Sequence, residues 1–199
     1  MPRHRTNAGV LDLPVRLFKT QTAWEAWLLK HSTSSPGLWL RIAKKAADLK
    51  SIDYQEALEI ALCHGWIDGL RSRFDDEAFV QRFTPRTPRS MWSKINRDKV
   101  QGLIEQGRMH PTGLAAIERA KQNGQWDAAY DSHRTAELPA DLEKALARNP
   151  KAKAFFATLS SQNRYAILFR LHGAKRAETR QRRLDQFVAM LEKKEKLYP

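Results

Sequence analysis

A chain of 199 residues with a net charge of +13 and one cysteine is long enough to bury a core of its own, which excludes a disulfide-stapled miniature fold. The first residues, MPRHRTNAGVLDLPV, lack the apolar run of a signal peptide, and no stretch approaches the ~18 apolar residues needed to span a bilayer. The cytoplasm is the expected compartment. The charge favours anionic partners: an anionic small molecule, nucleic acid or a lipid surface.

Residues 1–19 read as an irregular arm. Thr20–His31 reads as a short helix with Trp24, Trp27 and Leu28 on one face. After the Ser/Pro/Gly loop of residues 32–37, Leu38, Leu40 and Ile42 alternate as one face of a half-buried strand. Asp53 and Glu56 have the spacing of a capping box, so a helix is expected from there to about His64, ended by a left-handed Gly65. Trp66–Phe74 and Ala78–Thr84 read as two strands of a hairpin turning at Asp75-Asp76-Glu77. Thr84–Arg89 contains two prolines and is expected as a stiff, extended connector. A helical pattern starts at about Ser90, with Val100, Leu103 and Ile104 as its stripe and Gly107 as its stop. Another runs over about Thr112–Gln122, and Trp126 and Tyr130 are expected to pack the loop that follows. The remainder is read as helices over Pro139–Arg148, Pro150–Leu159, Ser161–His172 and Ala174–Lys196. The fold class expected is α+β: a small antiparallel sheet packed with helices over residues 20–130, then a mostly helical lobe over 131–199.

The densest chemistry lies in the sheet region. Asp68 follows the Gly65-Trp66 helix end and is expected in a cleft, within reach of Arg86; a turn or ion-pair role is the plainer alternative. Arg86 and Arg89 flank Pro88, a stiff presentation suited to bidentate capture of phosphate or carboxylate. Ser90, Ser93 and Asn96 are placed at the start of the next helix, where free N–H groups attract anions; ordinary capping is the competing reading. Trp66 and Trp92 border this cluster as stacking platforms or as half-buried hinge aromatics. Cys63 and His64 are adjacent, so on a helix they diverge by about 100° and do not form a nucleophile–base pair. Cys63 reads as a small buried residue, and His64 as an exposed helix end that favours the macrodipole when charged. In the tail, Lys175, Arg176, Arg180, Arg182 and Arg183 form a basic run, either a solvated face or a phosphate-contacting one. No zinc, dinucleotide or nucleotide-loop spacing is present, so neither cofactor nor metal is expected.

The runs Tyr54–Leu58, Ala61-Leu62-Cys63, Gly65–Gly69, Arg82–Arg86, Ser90 with Trp92, Ser93 and Asn96, Gly107-Arg108-Met109, and Ala174-Lys175 with Glu178-Thr179-Arg180 and Arg183 resemble the bacteriocin-protection, YdeI or OmpD-associated (OmdA) family. The resemblance covers most of residues 37–195, with His64 a departure where the family pattern usually has an aromatic apolar residue. It implies a mixed α/β front, a helical C-terminal segment and a link to antimicrobial tolerance, and it carries over no catalytic residue. The resulting expectation is a non-enzymatic binding protein with an anionic-ligand pocket between the Trp66–Gly69 turn and the Arg86–Asn96 segment. A nucleic-acid binder is the alternative. A hydrolase or transferase using Asp68 as base and Arg86 for charge stabilisation is a third reading. No oligomeric state follows from the sequence.

Overall fold

The computed structural model describes residues 12–199, so most of the expected N-terminal arm lies outside the described residues. Its last part contributes a two-residue strand, β1 (Val15–Arg16), where the sequence suggested only irregular chain. The chain divides into two units: residues up to Trp92 with Asn96–Ala129, and Ser93–Ile95 with Tyr130–Pro199.

In the first unit the Thr20 hydroxyl accepts the Ala23 N–H and starts α1 (Gln21–His31), which buries Trp24 and Leu28 one turn apart. β2 (Leu38–Ala43) pairs parallel with β1 on one side and antiparallel with β4 (Ala78–Pro85) on the other. Because β2 is an interior strand, Trp39 is buried as well as Leu38 and Leu40, and its indole N–H donates to Asp12. The half-buried alternation read from the sequence therefore understates its burial. Asp53 and Glu56 form the expected capping box, each side chain accepting from the other's backbone N–H, and α2 (Tyr54–Cys63) follows.

Gly65 then turns the chain with a φ of 74°, and a Cβ there would lie 2.7 Å from the Thr112 carbonyl oxygen. β3 (Trp66–Arg73) and β4 form the expected hairpin, closed by Asp75, whose carboxylate accepts the Glu77 and Ala78 N–H groups. The strand order is β1-β2-β4-β3. The register slips between Asp68 and Arg71, and the buried Gln81 amide donates to the freed Gly69 and Leu70 carbonyls.

Two expectations shift here. β4 continues to Pro85, opposite Trp66, because a proline in the last position removes a donor where the ladder is already ending. The next helix, α3, spans Lys94–Glu105 rather than starting at Ser90, because the Ser90 hydroxyl closes a turn onto the Thr87 N–H instead. Gly107 stops α3 at a φ of 65°, and α4 (Pro111–Gln122) completes the unit. The core runs from Trp24, Leu28 and the strands through Leu58, Leu62 and Trp66 to Val100, Leu103 and Ile117. Two buried indoles fasten it: Trp24 donates to the Ala57 carbonyl and Trp66 to the Ser32 carbonyl. Ile104, expected in the apolar stripe, is exposed.

The second unit holds α5 (Ala140–Arg148), α6 (Pro150–Thr158), α7 (Ser161–His172) and α8 (Ala177–Glu192). They share a separate core of Leu142, Leu146, Ile167, Leu171, Leu184, Phe187 and Leu191. α8 is shorter than the 174–196 span expected from its charge pattern, and Asp141 and Arg180 clasp α5 to α8 at 2.5 and 2.9 Å. The α+β expectation therefore holds, with a sheet-bearing first unit and a helical second one.

Candidate functional site

The Gly65–Trp92 region is fastened through its backbone groups. The Arg86 N–H donates to the Gly65 carbonyl at 2.9 Å, tying the end of β4 to the turn that begins β3. The Arg86 carbonyl accepts from the Arg119 guanidinium at 3.2 Å, and the Pro88 carbonyl from the Asn123 amide at 2.9 Å. The proline loop thus lies along the last turns of α4.

The Arg86 side chain points inward. It is only 5% exposed, its guanidinium carbon sits 3.5 Å above the Trp92 ring, and Nη1 donates to the Met91 carbonyl at 3.1 Å. A buried cation on an indole face with a carbonyl partner is a fastening, worth on the order of 2 kcal/mol for the ring contact. Trp92 is buried in turn, and its ring meets Trp126 edge to face at 5.0 Å. Trp66 is wholly buried among Trp24, Trp27 and the sheet, so its ring belongs to the core.

Asp68 is half-buried on β3, and its Oδ2 accepts the Tyr54 hydroxyl at 2.8 Å. That hydrogen-bond partner, Tyr54, is not among the site residues the sequence singled out. Ser90 is engaged in the Thr87 turn, and Asn96 is buried on α3. Ser93 is also buried; its backbone bridges to Tyr130 within the second unit. Of the eight residues singled out, five are buried, two are half-buried and Arg89 is exposed. Beside Arg89, α4 carries Arg119 and Lys121 in its last turn, and the Lys121 ammonium lies 5.8 Å from the half-buried Trp126 ring.

The Cys63-His64 pair is chemically quiet. Burial pushes the Cys63 thiol up, away from thiolate. His64 corrects the expectation of an exposed helix end. It is 3% exposed, because the N-terminus of α4 covers it: the Thr112 hydroxyl donates to its carbonyl and the His110 N–H to that of Cys63. Its ring stacks on His110 at 4.8 Å with Nδ1 unpartnered among the described residues. Burial, and then the neighbouring His110, lower its pKa to about 4.

The tail's basic run divides in two. Arg180 chelates Asp141 and also donates to the Leu171 carbonyl, and Arg183 donates to the Arg170 carbonyl. The hydrogen bond from Arg180 holds the Asp141 carboxyl below its usual range. Lys175, Arg176 and Arg182 are exposed. A cavity of about 80 Å³ lined by Tyr130, Tyr165, Phe169 and His172 was not anticipated. Its signal was present as Tyr165, Phe169 and His172 at helical spacing along α7.

Among the described residues no helix is long and apolar enough to cross a membrane, and no group of three metal-ligating side chains occurs. Comparison with curated proteins and with solved structures gives no match. Two family descriptions do match: a domain of unknown function (DUF8412) over residues 16–116, and Bacteriocin-protection, YdeI or OmpD-Associated (OmdA) over residues 135–194. The motifs between Tyr54 and Met109 therefore lie in the DUF8412 stretch, and the OmdA likeness is confined to the second unit. The chain belongs to the DUF8412 family, whose model spans half of its residues, and carries a bacteriocin-protection, YdeI or OmpD-associated (OmdA) segment over residues 135–194.

Proposed function

We propose that the chain is a non-enzymatic binding protein for phosphate- or carboxylate-bearing ligands, serving the antimicrobial tolerance for which its OmdA segment is named. The observation that carries this reading is the exposed pair Arg89 and Lys121, on a loop and helix end fastened together by the Pro88–Asn123 and Arg86–Arg119 bonds. Cations on a stiff support lose little entropy when they meet an anion. In this reading Arg86 and Trp92 hold the platform and Arg89 with Lys121 meets the ligand, in place of the site expected between Asp68 and Arg86. The quiet Cys63-His64 pair favours binding over nucleophilic chemistry.

Titration with inorganic pyrophosphate, followed by amide NMR, tests this. Shifts centred on Arg89, Lys121 and Asn123 support the reading. Shifts centred on Asp68 and Tyr54, or saturable binding unaltered by R89E/K121E, reject it. A second reading, nucleic acid, is favoured by the half-buried Trp126 ring beside Lys121, which offers a base a stacking face.

A further inference from the structure

The second unit carries a cavity whose chemistry is opposite to that of the rest of the chain. Tyr130, Tyr165 and Phe169 line it, with Tyr130 edge-on to Phe169 at 4.9 Å and Tyr165 to Phe169 at 6.0 Å. His172 closes one side, 6.2 Å from Tyr130. In a protein of net charge +13, the described lining contains two carboxylates, Asp131 and Glu137, and no lysine or arginine. Asp131 is paired with Lys94 at 2.8 Å, which leaves Glu137 to supply the charge at the mouth. The Tyr165 hydroxyl donates to the Asp131 carbonyl at 3.0 Å, and burial pushes its pKa up to about 12, so the phenol stays neutral and fixed. A second cavity of about 360 Å³ shares Ala136, Tyr165 and Leu168 with it and is lined further by Leu138, Phe156 and Arg164, whose guanidinium is engaged by the Leu159 and Ala157 carbonyls.

From these we infer that the OmdA segment binds a small organic cation, its quaternary ammonium head held among Tyr130, Tyr165 and Phe169 and balanced by Glu137. Aromatic faces attract a poorly hydrated cation through the ring quadrupole, and a wall of several rings does so without removing a tightly held water shell. A neutral apolar ligand makes the same packing contacts but gains nothing from the carboxylate or the ring quadrupoles.

The test uses the whole chain, with choline, tetramethylammonium and the neutral carbon isostere of choline as probes. The methyl protons of choline and tetramethylammonium are expected to move upfield on binding, while the isostere is held about tenfold more weakly. Phe169→Leu should weaken choline about tenfold. Glu137→Gln, at an exposed position that leaves the core intact, should weaken it about threefold without changing what the isostere does. Equal binding of choline and its isostere would overturn the inference, as would the absence of any methyl shift with either cation. An unaltered choline affinity in folded Glu137→Gln would overturn it as well.

Discussion

His64 makes the fold acid-sensitive. Its ring is covered by the N-terminus of α4 and faces His110, so the folded chain holds it neutral with a pKa of about 4, against an ordinary 6.5. A folded-state pKa below the unfolded one means that the unfolded chain takes up the proton first. The stability this neutral histidine provides is fully present above about 6.5, falls as the pH drops, and stops falling near 4, where the folded state is protonated too. At about 1.4 kcal/mol per pH unit the loss across that window is on the order of 3 kcal/mol, a large part of the stability of a typical domain. Urea unfolding at fixed ionic strength between about pH 4 and pH 7.5 measures it. His64→Phe removes the titrating group and keeps a ring in its place; His64→Gln does so with less bulk. Both should flatten the acid limb relative to the parent chain. Parallel pH profiles for parent and variants would refute the reasoning.

Arg86→Met should destabilise the first unit by about 2–4 kcal/mol in chemical unfolding, because the Trp92 and Met91 contacts are lost from a buried place. Arg89→Ala, at an exposed position, should change stability by less than about 0.5 kcal/mol. Gly113→Ala should cost about 3 kcal/mol or prevent folding, since its Cβ would lie 2.1 Å from the Cys63 carbonyl oxygen; thermal unfolding reads this directly. Arg180→Lys should lower the stability of the second unit by about 1 kcal/mol, because a lysine cannot chelate Asp141 and reach the Leu171 carbonyl together. Hydrogen exchange on α5 and α8 would locate that loss.

The fold was legible where local chemistry and burial agree. The Asp53–Glu56 capping box, the left-handed Gly65 and the Asp75 turn each state their geometry in a few residues, and each stands as read. Placement failed where a partner far away in sequence decides. His64 looks like a free helix end until Thr112 and His110, some 46–48 residues on, cover it. Arg86 looks like an anion receptor because nothing local says that its guanidinium turns onto Trp92. Asp68 could not be matched with Tyr54 because the two lie on different elements. Motif density in residues 63–96 therefore reports the effort of fastening a turn, a proline loop and a helix end together. It drew attention away from α7, whose aromatic face lines a cavity.

The most direct test separates platform from contact surface. Amide-NMR titration with inorganic pyrophosphate, at about 50 and about 200 mM salt, would be read for the parent chain, R89E/K121E and the folded fraction of Arg86→Met. The account predicts binding that weakens steeply with salt, is lost on the double charge reversal and persists in folded Arg86→Met. Binding that survives R89E/K121E yet vanishes in folded Arg86→Met would contradict it and return the site to the buried motif.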